Sequence, residues 1–334
     1  MNEIRLAVIG VGRMGLTHAE NLAHRVRGAQ LVAVTTSRAE RAAEARQRCG
    51  DVEVYPTLEM LLAAEQLDGV VIASSTSAHA DNVEQCAAAG LHVFCEKPLA
   101  LTLGDCDRAI VAAERAGVKL MLGHVRRFDA GHVEAKRLIE TGAIGRPVVF
   151  RAISGDVDPP PASFADPAVS GGLILDACYH DLYLARWLMS DEITRVYAEG
   201  GALVDAGVRS VGDVDNAVVC LRFAGGPMGT LTVSRTTRYG HDLRVEVIGD
   251  EGAVQIGRFR QTPVRLLDRR GVHHDMARTT PERLGEAFVT ELQAFVGCIV
   301  HDAEPPVTGH DSRATVAVGI AATGSMREGR AMDM

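Results

Sequence analysis

Residues 4–15 read IRLAVIGVGRMG, an apolar run that ends in Gly10, Gly12 and Gly15. The spacing is G-x-G-x-x-G, placed straight after a strand-like segment, Ile4–Ile9, and opening a helix-like one, Arg13–Arg27. Dinucleotide binding needs glycine at all three positions. The first makes a tight turn, the second lets the backbone approach a pyrophosphate, and the third lets the helix pack against the strand. Backbone N–H groups at the helix start, those of Arg13, Met14 and Gly15, then face the anion.

Outward from this loop the same rhythm repeats as far as residue 123. Short runs rich in Val, Ile and Leu (Leu31–Thr35, Gly69–Ala73, Leu91–Phe94, Val118–Leu122) alternate with Ala-rich segments of helical spacing (Ala39–Cys49, Ala78–Ala89, Gly104–Ala116). Strands buried on both faces of a parallel sheet have this continuous apolar character. Their alternation with helices predicts a doubly wound parallel sheet, a Rossmann α/β domain over residues 1–123. After Gly123 the pattern changes. Phe128–Thr141 and Gly172–Met189 read as helices, and from about Ile193 to Asp268 come successive β runs, AVVCLRF, GTLTVSR, DLRVEVIG and AVQIG, split by Gly-rich turns. Strands joined by tight turns pair antiparallel. Helices near Glu282–Val300 and Asp311–Ala322 are expected to cover one face of that sheet, and the Pro-rich Asp156–Ser170 is expected to lack regular structure. Residues 124–334 thus form a second α/β domain, for substrate and oligomerisation.

Composition narrows the class. The 334 residues are 47% hydrophobic and 23% charged, the balance of an ordinary globular protein, and the formal charge of -8 gives no nucleic-acid footprint. Seven cysteines form no CxxC pair and leave an odd count, which predicts reduced thiols and neither a disulfide framework nor a zinc site. No signal-peptide pattern and no apolar run of about 18–20 residues is present, so a soluble cytoplasmic protein without membrane partners is expected.

The end of the second strand bears on the cofactor. Residues 32–42 read VAVTTSRAERA, with Thr36 where NAD-preferring folds place an acid for the ribose 2′-hydroxyl. Without that carboxylate nothing repels a 2′-phosphate, and Arg38 and Arg41, beside Ser37, can supply its counter-charge. Alternatively both arginines are solvated helix residues. NADP(H) is favoured and NAD(H) remains possible.

Two further segments carry candidate chemistry. HVFCEKPLA (92–100) sets Glu96 and Lys97 at the C-terminal edge of a strand, where open α/β sheets bind ligands. A lysine there can hydrogen-bond a substrate hydroxyl and stabilise developing alkoxide charge. GGLILDACYHDLYLARWL (171–188) sets Asp176 and His180 four apart on one helix face, where the histidine can relay a proton. Ser75, Thr76 and His79 follow the Gly69–Ala73 strand on the cofactor side. His79 either sits near the nicotinamide or caps a helix.

GVGRMG, EKP, GHVRRFD, TGAIGRP and GG-x3-D-x3-HD occur in this order over essentially the whole chain. Together they resemble the glucose–fructose oxidoreductase / inositol dehydrogenase / rhizopine-catabolism (Gfo/Idh/MocA) family. The resemblance implies a dinucleotide-binding domain followed by an α/β domain on a large, open, mostly antiparallel sheet. It also implies that Lys97, Asp176 and His180 contact the reacting hydroxyl or carbonyl beside the nicotinamide. GHVRRFDAGHVEAKRLI and RTTRYGHDLRVEVIGDEGAV are most similar to inositol and related polyol dehydrogenases, which implies that Tyr239 lines the substrate pocket. His124 departs from the aromatic residue often found there, and Thr36 from the acid. The SR-AER pattern is similar to that of NADP-using sugar reductases of the same family.

His124, Arg127, Asp156 and Tyr239 are therefore the substrate candidates. Arg127 meets either substrate oxygens or the domain interface, and Asp156 either reaches substrate or forms a turn. His273–His274 and His301–Asp302 lack metal-site spacing, so no catalytic metal is expected. The expected activity is NAD(P)-dependent hydride transfer with a secondary alcohol of a cyclic polyol, sugar or sugar derivative. His180 would take the hydroxyl proton, Lys97 polarise the oxygen and Asp176 orient either group. A non-catalytic dinucleotide sensor is the alternative from another class, although a sensor need not keep all three residues. A nucleotide-linked sugar would need further contacts, for which only Arg126, Arg127 and Arg151 offer themselves. A sheet face with few helices left to cover it implies a homodimer or homotetramer.

Overall fold

A computed structural model describes residues 3–257, 262 and 264–334, so the part of the expected β region at 258–261 and 263 lies outside the described residues. The chain divides into two compact units, Met1–Phe128 with Glu286–Val316, and Asp129–Gly285 with Ala317–Met334.

The first unit is built on six parallel strands: β1 (Ile4–Ile9), β2 (Ala29–Thr35), β3 (Glu53–Tyr55), β4 (Gly69–Ile72), β5 (His92–Glu96) and β6 (Leu120–Gly123). Their order is β3-β2-β1-β4-β5-β6. The order reverses between β1 and β4, which opens the crevice at the strands' C-terminal ends that this architecture uses for ligands. Val8, Val34, Val71 and Phe94 are fully buried in the sheet, as continuous apolar runs require. β3 and the helix Leu58–Ala64 were not expected. β3 is a three-residue edge strand whose side chains are exposed or half-exposed, so it carries no apolar run.

The division differs from a single cut at 123/124. In the helix Thr280–His301, Leu292, Phe295 and Val296 belong to the same core cluster as Leu16, Phe94 and Met121. Burying three such side chains contributes up to about 5–9 kcal/mol. Most of that helix therefore belongs to the first unit's core, a departure from the expectation that it packs on the second unit's sheet. Leu122 N–H also donates to the Val307 carbonyl at 3.1 Å, which ties the following connection to β6.

The second unit holds a seven-stranded mixed sheet. Its strands are β7 (Pro147–Gly155), β8 (Ile193–Gly201), β9 (Asn216–Phe223), β10 (Met228–Ser234), β11 (Asp242–Gly249), β12 (Ala253–Gly257) and, after a short hairpin of β13 (Leu266–Asp268) and β14 (Gly271–His273), β15 (Met332–Asp333). The order is β12-β11-β7-β10-β9-β8-β15. All pairs are antiparallel except β7 with β10. The sequence predicts that consecutive strands pair, but β10 and β11 do not, because the unexpected β7 lies between them. On β9 and β10, Val219, Leu221, Leu231 and Val233 are buried while Val218, Cys220 and Arg222 alternate outward. The buried face is covered by the helical stretch from 172 to 189 and by the helix Gly309–Glu328 from Ala317 onward. In that second helix Gly319 packs on Leu175, and Met326 packs on Gly200 of β8. The Pro-rich segment is irregular, as expected, over 156–161 but not beyond. Its remainder folds as two single-turn helices, Ala162–Ala165 and Pro167–Ser170, and the Asp166 carboxylate accepts from Ala168 N–H at 2.8 Å to cap the second.

All seven cysteines are free thiols. Among the described residues no helix is long and apolar enough to cross a membrane.

Candidate active site

The glycine loop behaves as the sequence predicts. Gly10 has φ +85°, and a Cβ there would stand 2.8 Å from Ser74 Cα, so both conformation and space exclude a side chain. A Cβ on Gly15 would stand 1.9 Å from the Gly10 carbonyl oxygen. A Cβ on Gly12 would meet nothing within 4 Å, so the loop is open at that position. The helix Arg13–His24 that follows has no side-chain cap and no acid in its first turn. Its N–H groups and the space over Gly12 fit a dinucleotide pyrophosphate. Gly10 N–H donates to Thr35 Oγ1 at 3.0 Å, locking the loop to the end of β2.

One residue further, Thr36 N–H donates to Tyr55 O, and Thr36 Oγ1 accepts from Arg38 N–H at 3.2 Å. No carboxylate stands at 36, as read. Arg38 pairs with Glu40 and Arg41 with Glu44, both at 2.7 Å, and the Arg38 side chain is 65% exposed. The two glutamates balance the cations that were to meet a 2′-phosphate.

At the C-terminal ends of β4 and β5 lie Ser75, Thr76, His79, Glu96 and Lys97. Ser75 leads into the single turn Thr76–Ala78, and the Ser77 hydroxyl donates to Ser75 Oγ at 3.3 Å. His79 is 1% exposed and does not cap the helix it starts. Its Nδ1 lies 2.9 Å from Pro98 O and its Nε2 3.3 Å from Ser74 O. Burial holds its pKa below the ordinary imidazole value. A neutral ring has one N–H, which the shorter contact assigns to Nδ1. His79 therefore braces the backbone after Lys97. Glu96 points inward: its Oε1 lies 2.6 Å from His18 Nε2 and its Oε2 accepts Lys97 N–H at 3.1 Å. Among the described residues, His18, Glu96 and the buried Glu291 are the one group whose chemistry could hold a metal ion.

The second unit carries Asp176 and His180. Asp176 lies on a π turn, Ile174–Cys178, within the helical stretch that starts at 172. Such turns recur at functional sites. His180 follows on the next turn, its ring edge-on to Tyr179 with centroids 6.3 Å apart. Arg235, 1% exposed at the end of β10, donates through Nη2 to Asp176 Oδ2 at 2.9 Å and through Nη1 to Asp213 Oδ2 at 2.7 Å. Asp213 in turn accepts from Leu173 N–H at 3.0 Å. Gly172, at φ +70°, makes this possible, because a Cβ there would stand 2.5 Å from Asp213 Oδ1. Charge-assisted contacts of this kind hold a carboxylate in one orientation.

The substrate candidates meet different fates. His124 is 1% exposed in the first unit, and Arg127 is half-buried on the turn Val125–Phe128. Asp156 is more than a turn former. Its backbone is bound by Ser234 O and Thr237 N–H, and its carboxylate lies 3.1 Å from Nε2 of buried His241. The Tyr239 hydroxyl donates to Asp242 Oδ2 at 2.8 Å while the residue is 61% exposed. Lys97 stands in the first unit and Asp176 and His180 in the second. Arg235, Asp213, His241, His18 and Glu291 were missed. His241 adjoins the YG segment already singled out, and the other four carry no local signal.

The chain matches two family models. Residues 4–124 match the oxidoreductase family with an NAD-binding Rossmann fold, and residues 132–255 match the GFO/IDH/MocA C-terminal domain. It is 38% identical to myo-inositol 2-dehydrogenase of Thermotoga maritima, over 99% of this chain and 98% of that one. It is also 38% identical to scyllo-inositol 2-dehydrogenase (NAD(+)) of Bacillus subtilis, over 98% and 95%. Among solved structures, scyllo-inositol dehydrogenase from Lactobacillus casei with bound NAD(H) and scyllo-inositol superposes with a TM-score of 0.92 at 28% identity, over 99% of each chain. With its glycine loop, six-stranded parallel sheet and mixed second sheet in place, the chain belongs to the Gfo/Idh/MocA family of oxidoreductases.

Proposed function

We propose that this protein is an NAD(H)-dependent dehydrogenase that oxidises a secondary alcohol of a cyclic polyol of the inositol class. One observation carries the proposal: Asp176, fixed by buried Arg235, and His180 stand four residues apart on one helical stretch, which supplies a carboxylate and an imidazole for proton transfer. The inositol dehydrogenases at 38% identity support the substrate class. A dinucleotide held at the Gly10–Gly15 loop would supply the nicotinamide as hydride acceptor for the carbinol carbon. Lys97 donates a hydrogen bond to the reacting oxygen and stabilises its developing negative charge. His180 accepts the hydroxyl proton, and Asp176 holds the hydroxyl or the imidazole in line. His124, Arg127, Tyr239 and the Asp156–His241 pair are assigned to the ring hydroxyls not undergoing reaction. Two or more copies assemble through the outward face of the second unit's sheet.

For the cofactor, the missing acid at Thr36 favours NADP(H), whereas the pairing of Arg38 and Arg41 with glutamates removes the counter-charge a 2′-phosphate needs. We assign NAD(H) as the working cofactor, with weak discrimination against NADP(H). The test is steady-state oxidation of myo- and scyllo-inositol with NAD+ by the wild type and Lys97→Ala. Turnover by the wild type, lowered about 10³-fold or more in the variant, is expected. Tight NADH binding without turnover of any cyclic polyol would replace the enzyme with a dinucleotide sensor.

A further inference from the structure

We propose that Glu291, on the helix Thr280–His301, is a positioning residue for Lys97 that acts through Glu96. The proposal rests on the assignment of Lys97 to the reacting oxygen. Glu291 is completely buried, and neither of its carboxyl oxygens makes a hydrogen bond. It presents a carboxyl oxygen within 4.8 Å of a His18 ring nitrogen and of a Glu96 oxygen. Glu96 links this cluster to the Lys97 amide, binding His18 with one oxygen and Lys97 N–H with the other. The backbone beyond Lys97 is already pinned, with His79 on the Pro98 carbonyl and Leu99 N–H donating to Ser312 Oγ at 3.1 Å. Glu96 thus bears directly on where the Lys97 backbone starts.

The surroundings decide the state of Glu291. The His18 ring is edge-on to Phe94 and Phe288, with centroids 5.5 and 5.8 Å away, so the cluster is walled by apolar rings. Two carboxylates this close in such a shell, facing one imidazole, cannot both hold a charge. Burial pushes the Glu96 carboxyl up, but His18 and Lys97 outweigh it and hold Glu96 below the usual carboxylate range. Burial and the Glu96 charge push Glu291 well above that range. Glu291 is therefore a neutral carboxylic acid beside an ionised Glu96, and its proton keeps a second negative charge away from the residue that seats Lys97. Among the described residues, the ionisable groups grouped with it are His18, from the helix Arg13–His24, and Glu96, at the end of β5.

A divalent cation is the competing occupant. Ligands at about 2.0–2.2 Å from a tetrahedral ion stand roughly 3.3 Å from one another. The 2.6 Å contact between His18 and Glu96 is a direct hydrogen bond, too short for two ligands of one ion.

Infrared difference spectra of the full chain at neutral pH test the state of Glu291 without recourse to activity. A carboxylic-acid C=O band present in the wild type and absent from Glu291→Gln is expected. No such band, or about one equivalent of zinc or manganese in the purified protein, overturns the proposal. Kinetics test the positioning. Glu291→Leu is expected to lower kcat about 10–100-fold with NADH affinity within twofold of wild type, as a misplaced lysine predicts. Glu291→Gln, neutral and of the same shape, is expected to restore most of that loss. Equal kcat in Glu291→Leu and wild type overturns the positioning role. If Lys97→Ala has no effect on kcat, the assignment of Lys97 fails on its own, while the infrared band still reports on Glu291.

Discussion

The two groups of candidate residues, one in each unit, are built by different physics. The glycine loop is a local device: over residues 10–15, backbone geometry and the lack of side chains create a cradle that any sequence with the same spacing repeats. The Asp176 site is a long-range device. Arg235 reaches back 59 residues to Asp176 and 22 to Asp213, and Asp213 reaches back 40 to Leu173 N–H. Local devices can be read letter by letter. Long-range ones exist only once β10 has its register and the helical stretch has docked on the sheet.

Mutations that attack each device should separate them, and the largest expected effect is chemical. His180→Ala should lower kcat for inositol oxidation about 10²–10⁴-fold while NADH titration by nicotinamide fluorescence is unchanged. Loss of NADH binding in that variant would refute the division of labour. Within the glycine loop two substitutions should differ in kind. Gly15→Ala drives a Cβ into the Gly10 carbonyl and should lower both thermal stability and NADH affinity, the latter about 100-fold. Gly12→Ala meets open space, so its Tm should stay within a few degrees of wild type while NADH affinity still falls.

Arg235→Met leaves Asp176 and Asp213 without their buried cation and should lower kcat about 10–100-fold and destabilise the second unit by about 3–5 kcal/mol. Calorimetry with steady-state kinetics measures both. A variant that lost stability but kept kcat would reduce Arg235 to a strut. The smallest effect concerns the cofactor. Thr36→Asp should raise the NADH-over-NADPH preference about tenfold by charge repulsion alone, as measured by paired titrations.

Acid should also distinguish the units. His79 has a folded pKa depressed by burial, so its unfolded form binds more protons once the pH falls below about 6.5. Stability of the first unit is lost as pH drops through that value toward the folded pKa. Asp129, in the second unit, behaves differently. Burial raises its carboxyl, but His132 and Arg283, at 2.8 and 3.1 Å, outweigh this and lower it to about 2. Its contribution is present above 3.8, the ordinary carboxylate value, and is lost only as pH falls toward 2. Thermal melts between pH 7 and 5 should therefore flatten in His79→Asn, and melts between pH 4 and 2 should flatten in Asp129→Asn.

The same contrast explains what could be read beforehand. Strands such as Gly69–Ile72 announce themselves because burial on both faces demands unbroken apolar letters. β3 has three residues and an open edge, so its letters carry no such demand. β7 was hidden because its neighbours in space, β10 and β11, come more than 70 residues later, and local pattern says nothing of that pairing. Lys97, Asp176 and His180 stood out through the motifs around them. Arg235 reads as one more charge at a strand end, and Glu291 as the charged letter in TELQAF, until the fold buries them.

The return of residues 286–316 to the first unit has a consequence for biosynthesis. A ribosome that has made residues 1–128 has delivered all six strands of the parallel sheet but not Leu292, Phe295 or Val296, which complete the core around Phe94 and Met121. The nascent first unit must carry that uncovered apolar surface while some 160 further residues are added, about 8–30 s at ordinary elongation rates. During this interval the partly built domain is a client for chaperones, and a fragment ending at Phe128 is expected to aggregate where the full chain does not.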